Sequence, residues 1–360
     1  MNRAIQPRPF DPRKFALVLL VLLAFFIYTY TRVPPPQLHE WRGQTMGTWY
    51  TVKVVDHDLA ITPEIYQSLH AEIDAALVEV NRQMSTYLPD SEISRFNRHD
   101  SITPFSVSDG FRDVLRAALD LAVASGNAFN PALDPLIELW GFGAAGPTRL
   151  PTTSQVQDVL ARTASDGIAV LGNEFVKNNP RSQINLNAIA KGYGADVVDD
   201  LLAAHGFIDR FVEIGGDGVA RGFNHKGRPW RVGIETPADS DAREPGRPIL
   251  RILHLDRHGF ATSGDYRNVH LDENGKPFSH LLDPRTGYPV QSSLASVTVV
   301  GPRCMEADGF ATALYVMGVD EGLPWIEKQP GYEALFIVRR ETPADFDIVM
   351  SSGFASLLSP

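Results

Sequence analysis

The chain has 360 residues, room for one large domain or two compact ones, and its 44% hydrophobic and 21% charged residues are a globular composition. A formal net charge of −10 argues against a nucleic-acid partner, because such surfaces carry a basic excess. A single cysteine, Cys304, excludes an intrachain disulfide framework and any cysteine-rich zinc or iron–sulfur site.

The N-terminus is the first element. Arg3, Arg8, Arg13 and Lys14 precede an uncharged run of sixteen residues, Phe15 to Tyr30. That is slightly short of the roughly 20 residues a helix needs to cross a bilayer, and Thr31 with the neighbouring tyrosines extends it into the interface. The exit, Tyr28-Thr29-Tyr30-Thr31-Arg32, offers no small-x-small cleavage pattern. An uncleaved transmembrane anchor over 15–31 is therefore expected, in preference to a removed signal peptide. The basic excess ahead of the run leaves residues 1–14 in the cytoplasm and everything after Pro36 outside it. Residues 32–40, with Pro34-Pro35-Pro36, read as a stiff spacer.

Residues 41–360 contain no evident linker and read as one domain. The turn-like Met46-Gly47-Thr48 leads into a predicted strand, Trp49–Val55. Pro63 opens a helix whose Ile65, Leu69, Ile73, Leu77, Val80 and Met84 recur at helical spacing, a core stripe. Ser108-Asp109 starts a second helix running to about Ser125, closed by Gly126-Asn127. Phe129 to Gly146, rich in Pro and Gly, reads as an ordered loop. Further helices are expected at Ser154–Arg162 and from Ala188, the latter with Asn187 as N-cap. Strands are expected at Arg210–Ile214, Trp230–Ile234, Ile249–Leu255, Ser296–Val300 and Ala334–Val338. Helices and strands arrive in blocks, which predicts an α+β fold and not a doubly wound parallel sheet.

Several segments could carry chemistry. Asn185 to Asp196 gathers free backbone N–H groups and Lys191 at a helix start, a natural phosphate site, although an ordinary capped helix reads equally well. Phe211 to Gly218 is a strand entering a glycine turn, which lets a backbone approach a ligand or merely closes a hairpin. Ala261 to Asn268 concentrates two hydroxyls, the Asp265 carboxylate and an arginine. His280 ends a possible strand just before an Asp-Pro turn, hemmed in by potential partners, and histidine exchanges protons near neutral pH. Asp308 and Thr312, four apart at the start of an apolar helix, share a face. A carboxylate and a hydroxyl so placed suit Mg²⁺; alternatively Asp308 offsets the helix dipole and Thr312 packs inside.

Taken in order, these segments resemble the ApbE flavin transferase family. The resemblance is carried by Met46-Gly47-Thr48, Met84-Ser85-Thr86-Tyr87, Ser94-Arg95-Phe96-Asn97, Leu139-Trp140-Gly141-Phe142-Gly143, Asn185–Gly192 and Gly215-Gly216-Asp217. Thr262–Asn268, Ser279–Pro284 and Ala307–Thr312 complete it. It implies a T-fold-like catalytic domain over 41–360 that moves FMN from FAD onto a threonine hydroxyl of an acceptor flavoprotein, with Mg²⁺, releasing AMP. FAD would contact Met46, Tyr87, Ala128, Phe129, Asn130, Asn185, Lys191 and Leu282. The metal would be held by Asp308, Thr312 and main-chain oxygens of Ala188 and Ala311. An alcohol is a poor nucleophile near pH 7, so a base is expected, His280 first and Asp265 second.

The resemblance points to acceptors in membrane redox complexes, and with the anchor it places the catalytic domain on the periplasmic side of a bacterial inner membrane. Three positions depart from the family pattern: Asn185 where Asp is usual, Glu213 where Asn is commoner, and Gly309-Phe310 after Asp308. Two other outcomes share the site, an FAD pyrophosphatase using water as acceptor and a non-catalytic periplasmic FAD-binding module.

Overall fold

A tight turn sets the first register. Met46 and Gly47 both take positive φ, 49° and 70°, the combination that lets a two-residue hairpin follow the natural strand twist. It joins β1 (Gln37–Thr45) to β2 (Thr48–Asp56) in unbroken antiparallel register. The structure, a computed structural model, describes residues 12–30, 35–143, 146, 150–172, 174–237, 248–265, 269–271, 277–340 and 345–358. Residues 1–11 and 31–34, which hold most of the expected cytoplasmic tail, the last residue of the expected anchor and the start of the expected spacer, lie outside them.

The sheet grows from that hairpin by β3 (Arg210–Ile214), β4 (Asp217–Arg221), β5 (Arg257–Gly264), β6 (Leu294–Gly301), β7 (Glu333–Arg339) and β8 (Phe346–Met350). All eight lie in chain order, each antiparallel to the next. Such neighbours need no crossover helix, so helices can enter as blocks between strands. The expected α+β class is what forms. Side chains alternate between the faces: Val297 and Val299 join the core beneath the helices, whereas Val300 joins an opposite core, as does Ala295 across a register shift between Leu294 and Ser296. That opposite face is covered by the hairpin Trp230–Glu235/Ile249–Leu255.

Eight α-helices accompany the described strands. α1 (Pro12–Tyr30) covers the apolar run, and Leu17 to Leu23, Phe25 and Phe26 are each more than half exposed. Among the described residues no helix is long and apolar enough to cross a membrane. The expected span over 15–31 is therefore not met there: Arg13 and Lys14 fall inside the helix, and its side chains are described only as far as Phe26. α2 (Pro63–Met84) buries the predicted stripe from Leu69 to Met84, with Ile65 left exposed. α3 is Glu92–Arg98 and α4 is Asp109–Ala124, the latter capped by Ser108. Positive φ at Gly126 and Asn127 ends α4 where the sequence placed its stop.

The Pro- and Gly-rich stretch expected as a loop holds a 3₁₀ turn at Pro131–Leu133 and α5 (Asp134–Leu139), because Asn130 accepts the Ala132 N–H and starts a turn. α6 is Thr153–Leu160, α7 is Asn187–Ala204 and α8 is Cys304–Ile326. Two further expectations are corrected. The spacer ends at residue 36, because Gln37–Glu40 already pair with Lys53–Asp56. Asn187 is the first helical residue and not the cap, since Asn185 accepts the Asn187 N–H at 2.9 Å.

α7 and α8 cross in near contact beneath the sheet. A Cβ at Gly192 would collide with the Cys304 carbonyl, so only glycine permits this approach. Asp196 locks the crossing by accepting the N–H groups of Cys304 and Met305 at 3.1 and 3.0 Å, which also satisfies two orphan donors at the start of α8.

Candidate active site

That crossing concentrates charge. Lys191 on α7 sits 2.7 Å from Asp217 Oδ2 on β4, and 3.3 and 3.4 Å from the two carboxylate oxygens of Asp308 on α8. Both carboxylates are buried, at 0% and 3% exposure. Asp217 Oδ1 accepts the Thr262 N–H at 2.9 Å, and Asp308 Oδ2 accepts the Gly192 N–H at 3.0 Å. Burial pushes the Asp308 carboxyl up to about 6, Lys191 opposing and Asp217 reinforcing the rise. One ammonium between two buried carboxylates leaves a deficit of positive charge. One turn along α8, the Thr312 hydroxyl lies 3.2 Å from the Ser263 hydroxyl of β5.

Lys191 and Asp308 of this cluster floor a cleft of about 770 Å³, with the fully buried Asp217 behind them. Met46, Tyr87, Ala128, Phe129, Asn130, Asn185, Lys191 and Leu282, the expected FAD contacts, all line it. So do His280, Ala188, Asp308 and Thr312. Asn185 is a bridge: its amide donates to Asp134 at 2.9 Å while its carbonyl oxygen accepts from Asn187. Burial pushes Asp134 up to about 6, the Asn185 bond opposing and Glu138 reinforcing. An Asp at 185 would set a second carboxylate against Asp134, so the departure to Asn is locally consistent.

His280 follows the short strand Pro277–Ser279 and meets Phe142 edge-on, with ring centres 6.3 Å apart. Phe142 and Trp140 each pack edge-on against Phe278 at 5.7 Å. Trp140 also meets Tyr288 at 5.8 Å and donates its indole N–H to the Gly287 carbonyl at 2.8 Å. The Leu139–Gly143 segment is thus a brace for the loop that carries His280.

Two expected residues stand apart. Asp265 does not line the cleft; the Arg339 guanidinium takes both its oxygens, at 2.6 and 2.7 Å. Held by Arg339 outside the cleft, it does not reach a substrate there, and the second choice of base is set aside. Ala311, expected to offer its main-chain oxygen, is fully buried and does not line the cleft. Tyr266–Asn268, the end of that motif, lie outside the described residues. Conversely, Asp217 as partner of Lys191 and Phe142 as neighbour of His280 were not expected from sequence. The other departures also have local partners: Glu213 accepts the Gly216 N–H at 2.6 Å, and Gly309 lets α8 approach Leu121. Phe310 packs against Trp325 and Tyr332, with ring centres at 5.1 and 4.7 Å.

The sequence model of the ApbE family matches residues 46–336, a stretch that includes the whole cleft. The chain belongs to the ApbE family. It is 39% identical over 344 residues to an FAD:protein FMN transferase of Vibrio cholerae, covering 95% of this chain and 98% of that protein. The enzyme of the same name from Haemophilus influenzae is 39% identical over 321 residues, covering 88% and 90%. Among solved structures, the flavin transferase ApbE of Vibrio cholerae superposes with a TM-score of 0.80 at 38% identity, covering 90% of this chain and all of that one. The apo flavinyl transferase ApbE of Pseudomonas stutzeri gives 0.79 at 35% identity, covering 89% and 97%. The compact α+β arrangement here is the ApbE fold.

The residues present also fit the Mg²⁺ that the resemblance implies. Asp308 and Thr312, one turn apart on α8 and both lining the cleft, offer oxygen donors with a single carboxylate, which suits an ion that shares its shell with substrate phosphates and water. Among the described residues no group of three His, Cys, Asp or Glu side chains forms a metal cluster, so any ion here relies on such mixed donors.

Proposed function

We propose that the chain transfers FMN from FAD to a threonine hydroxyl of an acceptor flavoprotein, forming a phosphoester and releasing AMP. The observation that carries the reading is Lys191 paired with Asp308 on the floor of a cleft, backed by buried Asp217, with His280 also in its lining. In the reaction the acceptor oxygen bonds to the FMN-side phosphorus, the bridging P–O bond breaks, and AMP leaves with the bridging oxygen. Lys191 neutralises phosphate charge as it shifts to the leaving group. His280 takes the hydroxyl proton, while Phe142 and Phe129 limit water around the reacting atoms. Asp308 and Thr312 would hold Mg²⁺, which would supply the remaining positive charge opposite the pyrophosphate.

The same proposal extends to location. The broadly exposed apolar surface of α1 supports membrane attachment, with the catalytic domain on the periplasmic side and acceptors among membrane redox subunits. The test is to incubate the chain with FAD, Mg²⁺ and a candidate acceptor domain and to measure intact acceptor mass. A gain equal to FMN that EDTA abolishes is expected. Metal-dependent release of AMP and free FMN with unmodified acceptors would favour the pyrophosphatase. Bound FAD without turnover would favour a binding module.

A further inference from the structure

A second cavity, about 510 Å³, adjoins the active-site cleft. Its walls are Arg42–Thr45 of β1 and His70, Asp74, Leu77, Val78 and Asn81 of α2, and Asn81 also lines the cleft. The 46–47 turn, where β1 ends, borders the cleft directly. The groove therefore leads into the site.

β1 is the outermost strand of the sheet on this side. In a two-residue hairpin the closing pair, Thr45 and Thr48, exchanges hydrogen bonds, so alternate residues of β1 turn their N–H and C=O outward. Two observations fix this parity. The Trp49 carbonyl, paired opposite Gln44, accepts from Gly215 on the far side, and the Glu40 carbonyl, two positions before Arg42, accepts the outward-lying Tyr66 hydroxyl at 2.7 Å. Gln44 and Arg42 consequently present two N–H and two C=O groups along the groove, with no partner among the described residues. Tyr66 closes the groove at Glu40; Asn81 and the turn open it toward the cleft. Val78, 66% exposed, gives its wall an apolar surface.

We propose that this groove docks the acceptor, as an extended segment that pairs with β1 at Arg42 and Gln44 and delivers its hydroxyl into the cleft. The inference rests on the transferase reading. Main-chain pairing holds the segment whatever its side chains, which suits an enzyme whose target must be presented as an extended loop. The neighbouring hydrogen-bonded trio of Tyr50, Asp74 and His70 stiffens the groove wall: Tyr50 donates to Asp74 at 2.6 Å, and His70 lies 3.1 Å from the Tyr50 oxygen.

The test uses Gln44→Pro in the full chain. Proline removes the outward N–H and blocks strand addition, yet is tolerated on an edge. Val78→Glu, which puts a charge in the groove, is the second variant should Gln44→Pro misfold. The probe is the acceptor domain that the wild-type chain labels, with FAD affinity measured alongside. The expected result is at least about a tenfold rise in KM for the acceptor, with FAD affinity unchanged and Val123→Glu, on the exposed face of α4, without effect. Wild-type labelling with an unchanged acceptor KM in the groove variants would overturn the docking site alone. A wild-type chain that consumes FAD and labels no acceptor would overturn the transferase reading, and this inference with it.

Discussion

The floor and the rim of the cleft are built on different principles. The floor is a helix crossing under a sheet: Lys191, Asp217 and Asp308 come from three regular elements, and two of them are almost inaccessible to water. The rim that carries His280 is a short loop, held by four ring contacts and one indole hydrogen bond from the Trp140–Phe142 segment. Buried charge needs fixed partners, so it belongs on helices and strands. A proton acceptor must meet a substrate that arrives and leaves, and a braced loop allows that. In the proposed reaction this becomes a division of labour, with phosphate charge assigned to the floor and the proton to the rim.

The largest expected effect comes from breaking the floor. Asp308→Ala should abolish transfer and the dependence on metal, and should weaken FAD binding as well, because the group acts on both. Steady-state rates with a metal titration check this; full activity in that variant would remove the floor from the reaction. Next is the rim. His280→Ala should cost about 10²–10⁴ in rate while FAD affinity holds.

A milder cut tests the brace. Trp140→Phe keeps a ring but deletes the indole donor to Gly287, so kcat should fall about fivefold, the worth of one ordinary hydrogen bond. FAD titration should show affinity nearly unchanged, whereas a purely structural role would lower melting temperature and leave kcat per folded enzyme intact.

The smallest effect concerns stability. Asp134 titrates higher in the fold than when unfolded, so the folded state binds its proton more readily. That contribution is full below the ordinary carboxylate range near 4 and is lost as pH rises through about 6. Asp134→Asn should flatten this part of the stability profile by up to about 3 kcal/mol. Urea unfolding at several pH values between 4 and 7 reads it directly. A slope should survive in the variant, because Asp196 is likewise pushed up to about 6 by burial.

The sequence made some of this legible and hid the rest for physical reasons. The α2 stripe and the strands of regular apolar alternation could be read because burial imposes a period. β1 could not, since Gln37–Thr45 is an edge strand of mixed polarity following three prolines. Asp308 and Thr312 were visible as a helical pair. Asp217, which shares Lys191 with Asp308, and Ser263, which meets Thr312, lie on distant strands, and no local spacing announces such contacts. Asp265 shows the reverse failure: it looked catalytic beside two hydroxyls, but Arg339, 74 residues away in the chain, claims its carboxylate.

The most direct test of the division between floor and rim is to measure FAD affinity and single-turnover FMN transfer on one preparation of His280→Ala. The account predicts bound FAD at near wild-type affinity with transfer slowed by at least about a hundredfold. Near-normal transfer, or a loss of FAD binding that accounts for the slower rate, would contradict it.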